Sequence, residues 1–391
     1  MFQIPYGRQN ITAEDMAAVA ETLQSPFLTQ GPKIAEFERA FADYVGARYA
    51  VAVTNGTAAL HLCALALDVR AGQRVITSPI TFVASANCVR YCGGEVNFVD
   101  VDPRTALLDL DLLERRLESE SGENAARFSG VIPVDFAGHP VDMERLRTIA
   151  DRFGLWIIED ACHAPGASFA DSRGETVKAG DGRYADLAIF SFHPVKHIAC
   201  GEGGMITTNR EDLYERLQLL RSHGITKEAA AFTSAPDPQR GAWYYEMQTL
   251  GFNYRMPDIL AALGLSQLER ADAGIERRRE IAAAYDRAFQ GGPVRPLESQ
   301  AGFAHAYHLY VVRVPNRRQV FEALRDKGVF CQVHYIPVHL QPYYRELGYR
   351  DGDFPHAESY YEEALSLPMF PTLTEEEQAY VIERLLEAVD D

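Results

Sequence analysis

The 391 residues carry 38 Lys and Arg against 55 Asp and Glu, for a net charge of −17, and are 47% apolar and 24% charged. That is the make-up of an ordinary globular chain with room for one large core and a smaller second one. An acidic chain offers no basic field for nucleic acid or an anionic membrane surface, so neither is an expected partner. No stretch reaches the ~18 consecutive apolar residues of a membrane span. The start, Met1-Phe-Gln-Ile-Pro-Tyr6, does not follow a leader pattern, and the expectation is a cytoplasmic protein. Cys63, Cys88, Cys92, Cys162, Cys200 and Cys331 are scattered with no Cys-x-x-Cys, which predicts reduced, buried thiols.

Residues 1–11 read as an extended arm, and Thr12-Ala-Glu-Asp15 has the capping-box form that opens a helix to about Leu23. After a loop over 25–32, Ile34, Phe37, Phe41, Tyr44 and Val45 give the next helix its apolar stripe. From residue 49 strands and helices alternate. Strands are expected at 49–53, 75–78, 96–101, 131–134, 155–158 and 187–192, and helices at 57–67, 82–91, 109–117 and 143–153. Alternation of this kind predicts an α/β fold, a mostly parallel sheet with helices on both faces. A β-return at 204–208 and a helix at 213–221 follow. Residues 224–256 form a long polar and aromatic connection, a length that usually marks a functional or interface segment. Pro257 is read as the first residue of one long helix to Phe289, broken by Gly291-Gly-Pro293. A strand at 307–314, a helix at 318–327, a strand at 331–335 and a last helix opened by Thr374-Glu-Glu-Glu377 complete a small α+β domain. The expected organisation is an arm and large α/β domain over 1–256, a connecting helix over 257–290 and a small domain over 291–391.

Three strand ends carry chemistry. Val53-Thr-Asn-Gly-Thr-Ala-Ala-Leu60 places the N–H groups of Gly56, Thr57 and Ala58 at a helix N-terminus, a cradle for a phosphate. Trp156-Ile-Ile-Glu-Asp160 ends a buried strand on a carboxylate, which is costly unless paired, and a protonated pyridine nitrogen is one group that pairs it. His163 follows as a flat group able to stack on a ring or bond its hydroxyl. Leu187-Ala-Ile-Phe-Ser-Phe-His-Pro-Val-Lys196 puts a lysine among apolar residues just past a strand, where desolvation favours the neutral amine that can attack an aldehyde. Ser191 adds a phosphate donor. Amine, carboxylate and phosphate cradle on one sheet edge match the three handles of pyridoxal phosphate. His193/His197 and His334/His339 match no metal-binding pair, and no metal is expected.

The motifs Ile4-Pro-Tyr-Gly-Arg-Gln, Phe27-Leu-Thr-Gln-Gly-Pro32, Asn55-Gly-Thr-Ala-Ala-Leu60, Thr81-Phe-Val-Ala-Ser-Ala-Asn87, Glu159-Asp-Ala-Cys-His163, Ser191-Phe-His-Pro-Val-Lys196, Gly201-Glu-Gly-Gly204 and Gly251-Phe-Asn-Tyr-Arg-Met256 span nearly the whole chain. Together they resemble the DegT/DnrJ/EryC1/StrS sugar-nucleotide aminotransferases, which have the aspartate aminotransferase fold, type I among pyridoxal phosphate enzymes. The resemblance implies that Lys196 binds the cofactor aldehyde and serves as general acid and base. It makes Asp160 the partner of the ring nitrogen and puts His163 at the ring or its 3-hydroxyl. Gly56, Thr57 and Ser191 would hold the phosphate, and Phe82 would lie near the cofactor face. Asn253 would reach the phosphate from a neighbouring subunit, which implies a homodimer with shared sites.

Within the family, Leu220-Arg-Ser-His-Gly224, Gly264-Leu-Ser-Gln-Leu268, Tyr307-His-Leu-Tyr310 and Gln332-Val-His-Tyr-Ile-Pro337 are similar to the pseudaminic acid pathway branch, which takes L-glutamate and a UDP-linked 4-keto-6-deoxy sugar. Arg221, Arg255 and His334 are the candidates for the diphosphate, and Tyr310, Tyr335 and His339 for the sugar or uracil. The alternatives are an aminotransferase for another dTDP-, GDP- or UDP-ketosugar, at C3 or C4, and a sugar-nucleotide sensor without catalysis.

Overall fold

A computed structural model describes residues 2–120, 127–235, 239 and 241–390. Seven strands form its central sheet, in the spatial order Tyr49–Val53, Gly204–Thr208, Leu187–Ser191, Trp156–Asp160, Phe128–Ile132, Arg74–Thr77 and Glu95–Phe98. All run parallel except Gly204–Thr208, which pairs antiparallel with both its neighbours. The carboxyl ends of the parallel strands therefore share one rim, where open α/β sheets gather their ligands. Side chains alternate across the sheet. Val51, Val53, Ile189 and Ile206 join one core, and Ala50, Ala52, Ala188, Phe190 and Met205 join the core on the other face with Phe37 and Phe41.

The C-terminal part adds a three-stranded antiparallel sheet ordered Arg295–Pro296, Tyr310–Arg313, Ala364–Leu367. Its core is built from Ile281, Tyr285, Phe289, Val312, Leu365, Phe370 and Val381. The arm packs there too: Ile4 lies in that core, and Ile4–Pro5 pairs in parallel with Val329–Phe330.

Several boundaries differ from expectation for physical reasons. The fifth strand in space ends at Ile132 rather than residue 134, because Pro133 has no N–H for the ladder. The single helix expected over 257–289 is two, Asp258–Leu268 and Ala271–Phe289, with Pro257 as N-cap. The break at Arg270, with ψ at 15°, lets its guanidinium reach buried Asp15 and the Asn10 carbonyl. The strand expected at 331–335 gives only Val329–Phe330 and a bridge from Gln332 to Ser366, and the chain then leaves the sheet. The strand expected at 307–314 is confined to Tyr310–Arg313, since Tyr307 turns at a φ of 49°. In the 224–256 connection, Ile225–Thr226 pairs with Glu246–Met247, and residues 236–238 and 240 lie outside the described residues. A hairpin of Ser168–Ala170 and Thr176–Lys178 and the helices Pro342–Glu346 and Pro355–Glu363 had no sequence signal strong enough to place them. All six cysteines are free. Among the described residues no helix is long and apolar enough to cross a membrane.

Candidate active site

A cavity of about 500 Å³ opens on the sheet rim. Into it the chain brings Gly56, Thr57, Phe82, Asp160, His163, Ser191, Lys196, His334 and Tyr335. Lys196 reaches it because the segment after the Leu187–Ser191 strand is pinned at Phe192, whose N–H donates to Gly203 O and whose carbonyl accepts from Cys200. Within the loop, Lys196 N–H donates to His193 O at 2.8 Å, closing the turn that carries the amine. Burial lowers the pKa of the Lys196 ammonium, against the smaller pull of the Asp160 carboxylate, so the neutral amine is more populated than on an exposed lysine.

Asp160 is held by the backbone on both sides: its N–H donates to Pro133 O at 2.9 Å, and its carbonyl accepts from Asp135 N–H at 3.1 Å. Its Oδ2 accepts from Ser85 Oγ at 2.6 Å and its Oδ1 from Cys162 N–H at 3.2 Å. Ser85 has one proton and gives it to the carboxylate, so Thr81 donates in the 2.8 Å contact between the two hydroxyls. Asp160 is 5% exposed, and among the described residues no cation pairs with it. Burial holds Cys162 as a thiol, its pKa well above the ordinary value, so the sulfur does not compete with Lys196 as nucleophile.

His163 is neutral: burial depresses its pKa well below the ordinary value, and the Lys196 charge pushes the same way. Its Nδ1 accepts from Ala137 N–H at 3.2 Å, which leaves the proton on Nε2 to donate to the Tyr335 hydroxyl, also 3.2 Å away. The turn that supplies Ala137 N–H requires Gly138, whose φ is 101° and where a Cβ would sit 2.7 Å from His163 O. The His308 ring lies 4.3 Å from that of His163. His334 accepts or donates to Ser366 Oγ through Nδ1 at 2.8 Å, and burial, with Lys196 second, depresses its pKa to about 3.

At the cradle the expectation needs one correction. The Asn55 side chain caps the Gly56–Ala66 helix and takes the Ala58 N–H at 2.8 Å, so Ala58 is not a free donor. Gly56 and Thr57 remain on the cavity wall with Ser191. Gly204 makes room behind them, since a Cβ there would lie 2.7 Å from the Asn55 carbonyl.

Four of the six expected substrate residues, Arg221, Arg255, Tyr310 and His339, lie outside this cavity. Tyr310 is packed in the C-terminal core and gives its hydroxyl to Asp286 at 2.6 Å, because its strand position faces inward. His339 is fully buried, with Nε2 at 2.9 Å from Glu358. Arg221 pairs with Glu38 and donates to Ala52 O at 2.7 Å, bracing the helix before it against the first strand. Asn253 and Arg255 lie on a segment bridged to Ser222 and Val53, outside this chain's own cavity. Sequence reasoning missed Tyr6, Thr81, Ser85 and His308, which line the cavity. For Ser85 the signal was there: two hydroxyls four residues apart, beginning just past a strand end, face one way on a helix start.

Comparison with known proteins follows this geometry. The chain is 38% identical over 396 residues to the spore coat polysaccharide biosynthesis protein SpsC of Bacillus subtilis (strain 168), covering 99% of this chain and 97% of that protein. It superposes with a TM-score of 0.88 on a putative sugar aminotransferase, Spr1654, from Streptococcus pneumoniae in its PLP-form, at 29% identity and covering 100% of this chain and 99% of that one. Spr1654 is also known in a PMP-form. Helicobacter pylori PseC, an aminotransferase involved in the biosynthesis of pseudoaminic acid, matches with a TM-score of 0.87 at 29% identity over 99% of both chains. Pyridoxal phosphate fits the residues present: a buried carboxylate with no cation to pair it, a helix start with open N–H groups, and a desolvated amine, all on one cavity. A model of the DegT/DnrJ/EryC1/StrS aminotransferase family matches residues 9–386, and the chain belongs to that family, whose cofactor is pyridoxal phosphate.

Proposed function

We propose that the protein moves the amino group of L-glutamate to C4 of a UDP-linked 4-keto-6-deoxy-N-acetylhexosamine, the amination of pseudaminic acid biosynthesis. The observation that carries amino transfer is the meeting of Lys196, Asp160 and the open helix start at Gly56 on one cavity. The sugar is supported by likeness to PseC over the whole chain.

Pyridoxal phosphate supplies an electrophilic carbon for the amine and a sink for the electron pair left when the donor's Cα–H bond breaks. Lys196 Nζ, partly neutral through burial, takes that proton and returns it at the neighbouring carbon. Asp160, fixed by Ser85 and the Cys162 N–H, would pair with the protonated ring nitrogen. Gly56, Thr57 and Ser191 would hold the phosphate, with Phe82 near the cofactor. His163, kept as one tautomer by Ala137 with its Nε2–H toward Tyr335, would contact the ring or its hydroxyl.

Among the described residues no arginine lines the cavity, so the two phosphate charges of a nucleotide sugar need cations from beyond this wall. A homodimer with shared sites would meet that need, with Arg255 of a second copy as the candidate cation and its Asn253 as a donor to the cofactor phosphate. His334 and Tyr335 then face the sugar. The greater identity to SpsC favours a second reading, an aminotransferase for a different nucleotide ketosugar. Supplying L-glutamate with a panel of UDP-, dTDP- and GDP-linked 3- and 4-ketosugars, and locating the new nitrogen by NMR, separates the two. Amination at C4 of the UDP-N-acetyl substrate alone supports the first reading, and preference for another sugar or carbon overturns it.

A further inference from the structure

A second cavity, of about 200 Å³, shares only Lys196 with the first. Its wall includes Arg8, Arg270, Arg277, Arg278 and His197, and among the described residues no Asp or Glu lines it. Arg270 and Arg277 have carboxylate partners, in Asp15 and Glu280. The other two do not among the described residues. Arg8 donates to the Thr372 hydroxyl at 3.3 Å and lies over the Phe370 ring. Arg278 is 2% exposed and gives Nη1 to the carbonyls of Tyr307, His308 and Met369, while its Nε is buried with no partner. A buried guanidinium without a counter-charge is expensive. His197 gives its Nε2–H to Ala306 O at 2.9 Å, and its Nδ1 has no accessible surface toward the cavity.

We propose that this cavity is a binding site for a small inorganic oxyanion such as phosphate. Its oxygens accept from the guanidinium groups of Arg278 and Arg8 on the cavity wall. The site does not depend on which sugar the protein aminates. It sits where the arm, the Ala271–Phe289 helix and the turn of Lys196 meet, so a bound anion ties three separate stretches of chain together.

The test uses the cofactor-loaded protein, in which the anion-binding turn at Gly56 is already filled. Phosphate is titrated by calorimetry and by thermal melting against chloride at constant ionic strength. Saturable binding with a rise in Tm is expected for the wild type. Arg8→Gln, which removes an exposed residue with one hydrogen bond, is expected to weaken binding about tenfold. Ala273→Glu places a carboxylate on the cavity wall from an exposed helix position. It is expected to raise Tm in chloride and abolish the response to phosphate, whereas Ala273→Gln keeps that response. No saturable binding in the wild type, or a phosphate response unchanged in both Arg8→Gln and Ala273→Glu, overturns the proposal.

Discussion

The two walls of the active-site cavity are built differently. On the sheet rim, Gly56, Asp160, Ser191 and Lys196 stand on or within five residues of the ends of strands whose register is fixed by ladder partners, on both sides for the two central strands and on one side for the edge strand before Gly56. On the C-terminal side, His308, His334 and Tyr335 come from irregular chain, and their positions depend on side-chain contacts: Tyr335 on His163, His334 on Ser366, and the His308 carbonyl on Arg278. Rigid elements suit groups that must meet a reacting atom within a fraction of an ångström, and adaptable segments suit groups that shape a substrate. The rim should then govern the chemical step, and the far wall should govern fit and stability.

The sharpest way to break this division is at Lys196. Lys196→Ala should lower the rate of the glutamate half-reaction, followed by absorbance, by about 10⁴-fold, the upper range for loss of a positioned acid and base. A variant that still turns over like wild type would remove Lys196 from the chemistry. Asp160→Asn comes next. The amide keeps one acceptor oxygen, for the Cys162 N–H, and its NH2 can donate to a re-turned Ser85 hydroxyl, but the charge is lost, and the same half-reaction should slow about 10²- to 10³-fold with the protein folded. A loss under tenfold would mean that the ring nitrogen does not need the carboxylate.

The walls should also part in their response to acid. On the C-terminal side and at His163, burial lowers the pKa of three imidazoles, of His163, His308 and His334, the last to about 3. A folded pKa below the unfolded value of ~6.5 means that the unfolded chain takes up the proton first. Their contribution to stability is thus complete above that pH and falls below it, by up to about 1.4 kcal/mol per pH unit for each ring. Asp15 titrates in another window. Burial pushes its pKa up, but the hydrogen bonds from Arg270, Ser266 and Thr12 outweigh that and hold it to about 2. Its share persists until the pH falls below the unfolded value of ~3.9. Buried Asp135 and Glu159, whose carboxyls burial raises, pull the other way below pH 7, so the imidazoles are read by difference: between pH 7 and 5 the urea midpoint should fall less, or rise more, in His308→Asn than in the wild type. An identical slope in the two would show that His308 is not held neutral by the fold.

The same contrast explains what could be read in the sequence. The rim was legible because each of its groups is tied to a strand end, and strands announce themselves by apolar runs: 187–192 and 49–53 led directly to Lys196 and Gly56. The far wall was not. Tyr310 and His339 are polar groups in chemistry-rich motifs, but the inward face of a strand and a buried turn take them into the core, where Asp286 and Glu358 satisfy them. Ala58 was misread for a smaller reason: an Asn before a helix is as much a cap as a turn residue, and as a cap it claims the N–H two residues beyond Gly56. The rear cavity left no trace in the sequence at all, because Arg8, Arg278 and Ala273 lie in two segments more than 250 positions apart.

The smallest expected effect is at Tyr335, and it tests the division from the other side. The hydroxyl accepts from His163 Nε2 at 3.2 Å, and the ring lies 6.2 Å from Phe82. Tyr335→Phe keeps the ring and its packing but takes away one neutral hydrogen bond, worth about 0.5–1.5 kcal/mol. His163 keeps its tautomer, because Ala137 N–H still occupies Nδ1. The glutamate half-reaction should therefore change by less than about threefold, whereas kcat/KM for the sugar should fall about three- to tenfold through KM. A fall in the half-reaction as large as that of Asp160→Asn would mean that Tyr335 moves a proton, and the division between a reacting rim and a shaping wall would fail at a hydrogen bond that joins them.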